Sequence, residues 1–125
     1  MSRSTFPRHV IEQVTGRSGG NCECMSSGCT LVAEHIHHRR PKGLGGTRRP
    51  ESQWASNALH VCLRCHLKIH AMPSWARDNG FLVRQADDPA AAPVWWRCAE
   101  TGGKDMVVLD NTGQMIPTTS RTGTR

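Results

Sequence analysis

The chain has 125 residues, enough for one domain, but only 37% of them are hydrophobic, with no Tyr and two Phe. So thin a supply of apolar side chains excludes a large core, and no run is long or apolar enough for a membrane span or a secretory signal. A formal charge of +6 and a pI near 9.4 fit a polyanionic partner, while six Cys and seven His, expected in a reducing cytoplasmic setting, point to metal rather than disulfides.

In chain order, Ser4 or Thr5 ahead of Pro7, then Val10, Ile11 and Val14 at helical spacing, predict a short amphipathic helix stopped by Gly16 and the Arg-Ser-Gly-Gly that follows. A tight cysteine-bearing turn, NCECMSSGC, comes next. Thr30 to Ile36 alternates loosely and carries β-branched residues, which predicts a short strand running into the histidines. Arg39 to Ser56 is polar and rich in Gly and Pro, hence a loop. Leu59 to Val61 reads as a second strand. Leu63 onward is the best helix, kinked or ended by Pro73, with Asn79-Gly80 as its latest stop. Three apolar runs, FLV, PVWW and MVVL, suggest a small β appendage, and the polar end of the chain reads as disordered. There is no internal repeat. The expected architecture is α+β, a single domain over residues 1–116 with its core at about 20–80 and the appendage at about 81–116, followed by a tail at 117–125.

Cys62 and Cys65 form a C-x-x-C pair at the start of the long helix, and Cys22, Cys24 and Cys29 lie in the turn about 40 positions earlier. Zinc takes four ligands tetrahedrally, and two cysteine knuckles supply them. Spacing alone allows Cys22 or Cys24 beside Cys29. Cys98 stands apart and reads as a small apolar residue.

His66 and His70 are four apart on the predicted helix and share a face. In a strand, His37 and His38 point to opposite sides, so one can ligate an ion while the other faces a substrate. That division suits hydrolysis of a phosphodiester, which needs a cation on the phosphate and a neutral imidazole to take a proton from water. Arg39, Arg40, Lys42, Arg48 and Arg49 flank the proposed base in a glycine-bearing loop, as phosphate contacts would. Of the four tryptophans, Trp75, Trp95 and Trp96 are expected to pack the appendage onto the helix, and Trp54 is the one to test against nucleic acid.

These residues resemble the HNH nucleases, whose ββα-metal core is two short strands and a helix around one ion. His37-His38 stand seven positions before Gly45-Gly46, counted from His38, and Asn57 stands nine before His66. The likeness extends to small HNH proteins of actinobacterial phages through RSGGNCE, HHRRPKGLGG, the C-x-x-C-H stretch and GFLVRQADDPAAAPVWW, covering roughly residues 10 to 110. The resemblance implies His37, His66 and His70 as ligands of a catalytic divalent ion (magnesium, manganese, nickel or zinc), His38 as general base and Asn57 as the residue that pins the loop. It favours Cys22 with Cys29, Cys62 and Cys65 for a structural zinc, with Cys24 as the departure. It further implies a DNA endonuclease that nicks or cleaves, a role in phage DNA packaging with the large terminase or portal as partners, and a cytoplasmic location in the bacterial host. Glu34-His35 imitates the family's acid-His pair, but seven positions after His35 comes Lys42, which leaves Glu34 and His35 as strand residues holding a ligand imidazole. Two rival readings stay open: a non-catalytic zinc-binding nucleic-acid module, and an adaptor of the packaging motor. A zinc knuckle with no catalytic role needs neither His38 nor Asn57.

Overall fold

The protein is a computed structural model that describes residues 6–41, 50–97 and 104–118. Helix α1 (Arg8–Ser18) turns Val10 and Val14 into the core. Pro7 sets its entry and accepts the first N–H groups, from Val10 and Ile11; Ser4 and Thr5 lie outside the described residues. Gly16 does not stop this helix. Gly19 does, at φ +64° with its N–H returned to the Thr15 carbonyl, because a left-handed C-cap and not a mid-helix glycine ends the hydrogen-bond ladder.

Strand β1 (His35–His38) pairs antiparallel with β2 (Ala58–Val61), placing His37 opposite Leu59 and His38 opposite Ala58. The strand begins later than the expected Thr30, since the preceding residues are taken up by the cysteine turn. There Leu31 sits at φ 75°, the Cys22 N–H reaches the Leu31 carbonyl at 2.7 Å, and a single bridge joins Asn21 to Val32. The expected loop carries two 3-10 turns, Pro50–Gln53 and Ala55–Asn57. Helix α2 (Leu63–Ala71) follows β2 after one residue, and Pro73 opens a separate helix, α3 (Pro73–Asp78), at a position where its missing N–H is not needed.

PVWW and MVVL become β3 (Val94–Arg97) and β4 (Lys104–Leu109), antiparallel with Val94 opposite Val107. FLV is no strand: Phe81 and Val83 are buried from a loop, and the Phe81 ring lies 5.4 Å from that of Trp75. A third strand, β5 (Met115–Pro117), continues the sheet and reaches the first residue of the expected tail; 119–125 lie outside the described residues, as does Cys98.

Among the described residues, the apolar core falls into two clusters. One gathers Leu59, Val61, Ile69, Ala76, Phe81, Val94, Trp96, Val107 and Leu109 around the cysteines; the other holds Phe6, Val10, Val14, Ala55 and Ala58. Polar staples supplement them. Arg17 grips Glu23 through two contacts of 2.8 Å and also donates to the carbonyls of Ala55 and Ala58, with both ionic side chains almost fully buried. Glu23 in turn accepts from the His60 N–H, so the ion pair ties α1, the cysteine turn and β2 into one unit.

Arg39 corrects an expectation. Placed among the phosphate contacts by sequence, it is instead fully buried and donates to the carbonyls of Gly80, Ser56, Pro89 and Ala92 at 2.8–2.9 Å. Burial lowers its pKa to about 9, which leaves it cationic at neutral pH. Gly80 is suited to this corner because its φ is +79° and a Cβ there would meet the Pro93 carbonyl oxygen at 2.0 Å. Arg39→Ala orphans four carbonyls and is expected to cost about 3–5 kcal/mol in denaturant unfolding, the range for breaking a buried charged network. Arg39→Lys is expected to restore little, lacking the planar fork of donors. A loss below about 1 kcal/mol would return Arg39 to a surface role.

Candidate functional site

Among the described residues, two groups of side chains able to hold a metal ion flank the β1–β2–α2 unit. In the first, the sulfurs of Cys22, Cys29, Cys62 and Cys65 all lie within 4.8 Å of one another. α2 supplies two of them: Cys62 is its N-cap and Cys65 sits on its buried face. The cysteine turn supplies the others. The Cys29–Cys62 separation is 3.9 Å, against an edge of about 3.8 Å for a tetrahedron with metal–sulfur bonds near 2.3 Å. Backbone N–H groups of Leu31 and Cys65 point at the sulfurs of Cys29 and Cys62, an arrangement that stabilises thiolate ligands. The hydrogen bond between Cys22 and Cys65 draws the Cys65 thiol far below its usual pKa and pushes the Cys22 thiol far above. Four sulfurs this close cannot all ionise without a cation between them. The cluster is compatible with a structural metal such as zinc. It contains Cys22, while Cys24 is buried beside it and helps lower the Cys65 pKa through a hydrogen bond.

In the second group, ligand nitrogens of His37, His66 and His70 lie within 4.8 Å of one another. β1 aims His37 at α2, where His66 and His70 stand one turn apart, and the ring centroids are 4.9–5.5 Å apart. His37 Nε2 meets the Phe81 carbonyl at 2.9 Å. A carbonyl only accepts, so Nε2 carries the hydrogen and the lone pair is left on Nδ1, the nitrogen able to ligate. Burial lowers the His37 pKa to about 3, and burial with the neighbouring His70 lowers that of His66 to about 4. Both imidazoles are neutral at pH 7. Since free imidazole titrates near 6.5, unfolding takes up protons between pH 6.5 and 4, and stability falls as pH falls through that window. His66→Gln is expected to flatten the slope of unfolding free energy against pH there, as read by denaturant titration.

The structure does not bring His38 into this group. It leaves the other face of β1 and stacks on Phe6, with centroids 4.2 Å apart and planes at 18°. Asn57, fully buried, accepts from the Arg40 N–H at 2.7 Å and donates to the Ser52 and Arg40 carbonyls, while its own carbonyl accepts from the Arg39 N–H. It therefore clamps the chain immediately after His38. Arg40 is buried and donates to the Asp87 carbonyl, which makes it a poor first contact for a phosphate; Lys42, Arg48, Arg49 and the glycine pair lie outside the described residues. Trp54 is 43% exposed and lines a groove of about 230 Å³ with His9, Val10, Gln13 and Asn111.

Three contacts were not evident from sequence. Phe6 as a platform for His38 had no motif to announce it, and neither did the Phe81 carbonyl. Glu34 accepts from the Leu63 N–H at 3.0 Å, at the N-terminus of α2 and not on an imidazole. His35, two residues from His37, does touch a histidine: its Nδ1 lies 3.2 Å from that of His66. Strand alternation alone puts His35 and His37 on one face. Among the described residues, no helix is long and apolar enough to cross a membrane. The chain matches no family model, no characterised protein and no solved structure in three comparisons.

Proposed function

We propose that the chain is a metal-dependent endonuclease of the HNH type that hydrolyses phosphodiester bonds in DNA. The observation that carries this reading is the grouping of His37, His66 and His70 across β1 and α2, with His38 next in the strand and Asn57 clamping the backbone behind it. A divalent cation held by those three imidazoles would supply charge neutralisation at the phosphate and the leaving oxygen. In this reading the His38 imidazole takes a proton from the attacking water, its ring fixed by the Phe6 stack and by the chain path that Asn57 holds. Lys42, Arg48 and Arg49 are the remaining candidates for backbone phosphates, so binding is expected to weaken steeply with salt and to show little sequence preference. The cysteine group would act as scaffold. Phage DNA packaging, with a large terminase or portal as partner, belongs to the same proposal and rests on the phage-protein resemblance; co-purification with a terminase subunit tests it.

The test of the reaction is supercoiled plasmid incubated with the chain in magnesium, manganese, nickel or zinc. Nicked or linear product in at least one metal is expected. No product in any would favour a zinc-bearing nucleic-acid module without catalysis. Asn57→Ala is expected to lower the nicking rate about tenfold to a hundredfold, as for residues that orient a reacting group through a neighbour, with a stability loss of about 1–3 kcal/mol from the donor and carbonyls it orphans. Nicking at the wild-type rate would remove Asn57 from the site.

A further inference from the structure

Three imidazoles, those of His37, His66 and His70, make up the second group, and a fourth, His35, lies outside that group but against one of its members, His66. His35 and His37 leave the same face of β1, the His35 and His66 ring centroids are 5.1 Å apart, and their Nδ1 atoms face each other at 3.2 Å. Two imidazole nitrogens come this close for one of two reasons: one donates a hydrogen to the other, or both point at one cation. Metal–nitrogen bonds of about 2.0–2.1 Å place tetrahedral neighbours about 3.3–3.4 Å apart, close to the spacing seen. His35 is exposed and His37 buried, so His35 would close the solvent side of the group.

We infer that His35, whose exposed side chain stands outside the group but 3.2 Å from His66, turns in on metal binding as a fourth ligand of the ion held by His37, His66 and His70, giving a site closed by four imidazoles. This rests on the reading of those three histidines as ligands and not on the nuclease chemistry. Four neutral nitrogens with no carboxylate select a borderline transition ion such as zinc or nickel over magnesium, which demands oxygen ligands and retained water. A closed shell also has a consequence for reactivity: an oxygen ligand enters only in place of His35 or by raising the coordination number to five. His35, the ligand nearest solvent, is the one positioned to leave.

The experiment uses the full chain with one equivalent of zinc bound and a second titrated in, followed by long-range proton–nitrogen spectra of the ¹⁵N-labelled imidazoles and by calorimetry. The expected result is that four of the seven histidines, His35, His37, His66 and His70, each acquire one metal-bound nitrogen, while His9, His38 and His60 do not. His35→Ala and His35→Gln are expected to weaken the second zinc by at least about tenfold with the first unaffected, and magnesium is expected to perturb no imidazole. Three metal-bound histidines with His35 unchanged would overturn the inference and leave the three-ligand reading standing. So would a loss of affinity in His35→Ala when the wild type shows only three bound rings, since His35 would then merely position His66. No perturbed imidazole at all would overturn both.

Discussion

His38→Ala is expected to lose about 10²–10⁴-fold in the rate of plasmid nicking, the contribution of a general base to a hydrolysis. The size of the effect follows from where β1 places the ring. His37 faces α2 and its partner imidazoles, whereas His38 leaves the opposite face and stacks on Phe6, so removing it takes away no ligand. The second zinc equivalent should bind the variant as it binds the wild type. Folding should also survive, because what is lost locally is an aromatic stack worth about 0.5–1.5 kcal/mol. Three measurements separate the possibilities: nicking rate, zinc affinity and denaturant midpoint. Wild-type nicking by His38→Ala would end its assignment as base. A large loss of zinc affinity would mean that His38 belongs to the ligand group after all.

Cys65→Ser, or a strong chelator, is expected to unfold the chain. The four sulfurs lie inside the larger apolar cluster, with Cys22, Cys62 and Cys65 almost fully buried. A structural zinc in a small domain contributes about 10 kcal/mol or more to folding, comparable to the whole stability of an ordinary domain of about 5–15 kcal/mol. Little else here can replace it, given an apolar fraction of 37%. Circular dichroism should show loss of helix and a lowered or absent thermal transition on chelation. Because a chelator strips both groups of ligands, His66→Ala is the control: it should weaken the second ion and leave the fold in place. An unchanged melting curve in excess chelator would show that the cysteine cluster holds the chain together as thiols alone.

Much of the secondary structure near the site was legible because it depends on local periodicity and local stops. The α1 core face at Val10 and Val14, the second strand, the start of α2 at Leu63 and the stop at Asn79-Gly80 all follow from side chains within a few residues of one another. The failures share a cause. FLV looks like a strand by composition, yet Phe81 and Val83 are drawn down as a loop by contacts with Trp75 and a hydrogen bond to the Arg39 carbonyl. β5 was invisible because Met115–Pro117 becomes a strand only when β4 is alongside. Pro73 could end a helix or begin one, and only packing of the next turn decides.

By itself the sequence determined the residue types and spacings: C-x-x-C beside an i, i+4 histidine pair, two adjacent histidines of opposite facing, and an asparagine nine positions before His66. These are short-range facts, set by 3.6 residues per helical turn and the two-residue alternation of a strand. Tertiary structure decided what each polar side chain meets across 17 to 53 positions of chain. It buried Arg39 against four carbonyls, turned Glu34 to the end of α2, seated His38 on Phe6 and set His35 against His66. A charged or aromatic side chain reads the same in sequence whether it faces water, a carbonyl or an ion; which one it meets depends on folding that brings distant backbone past it.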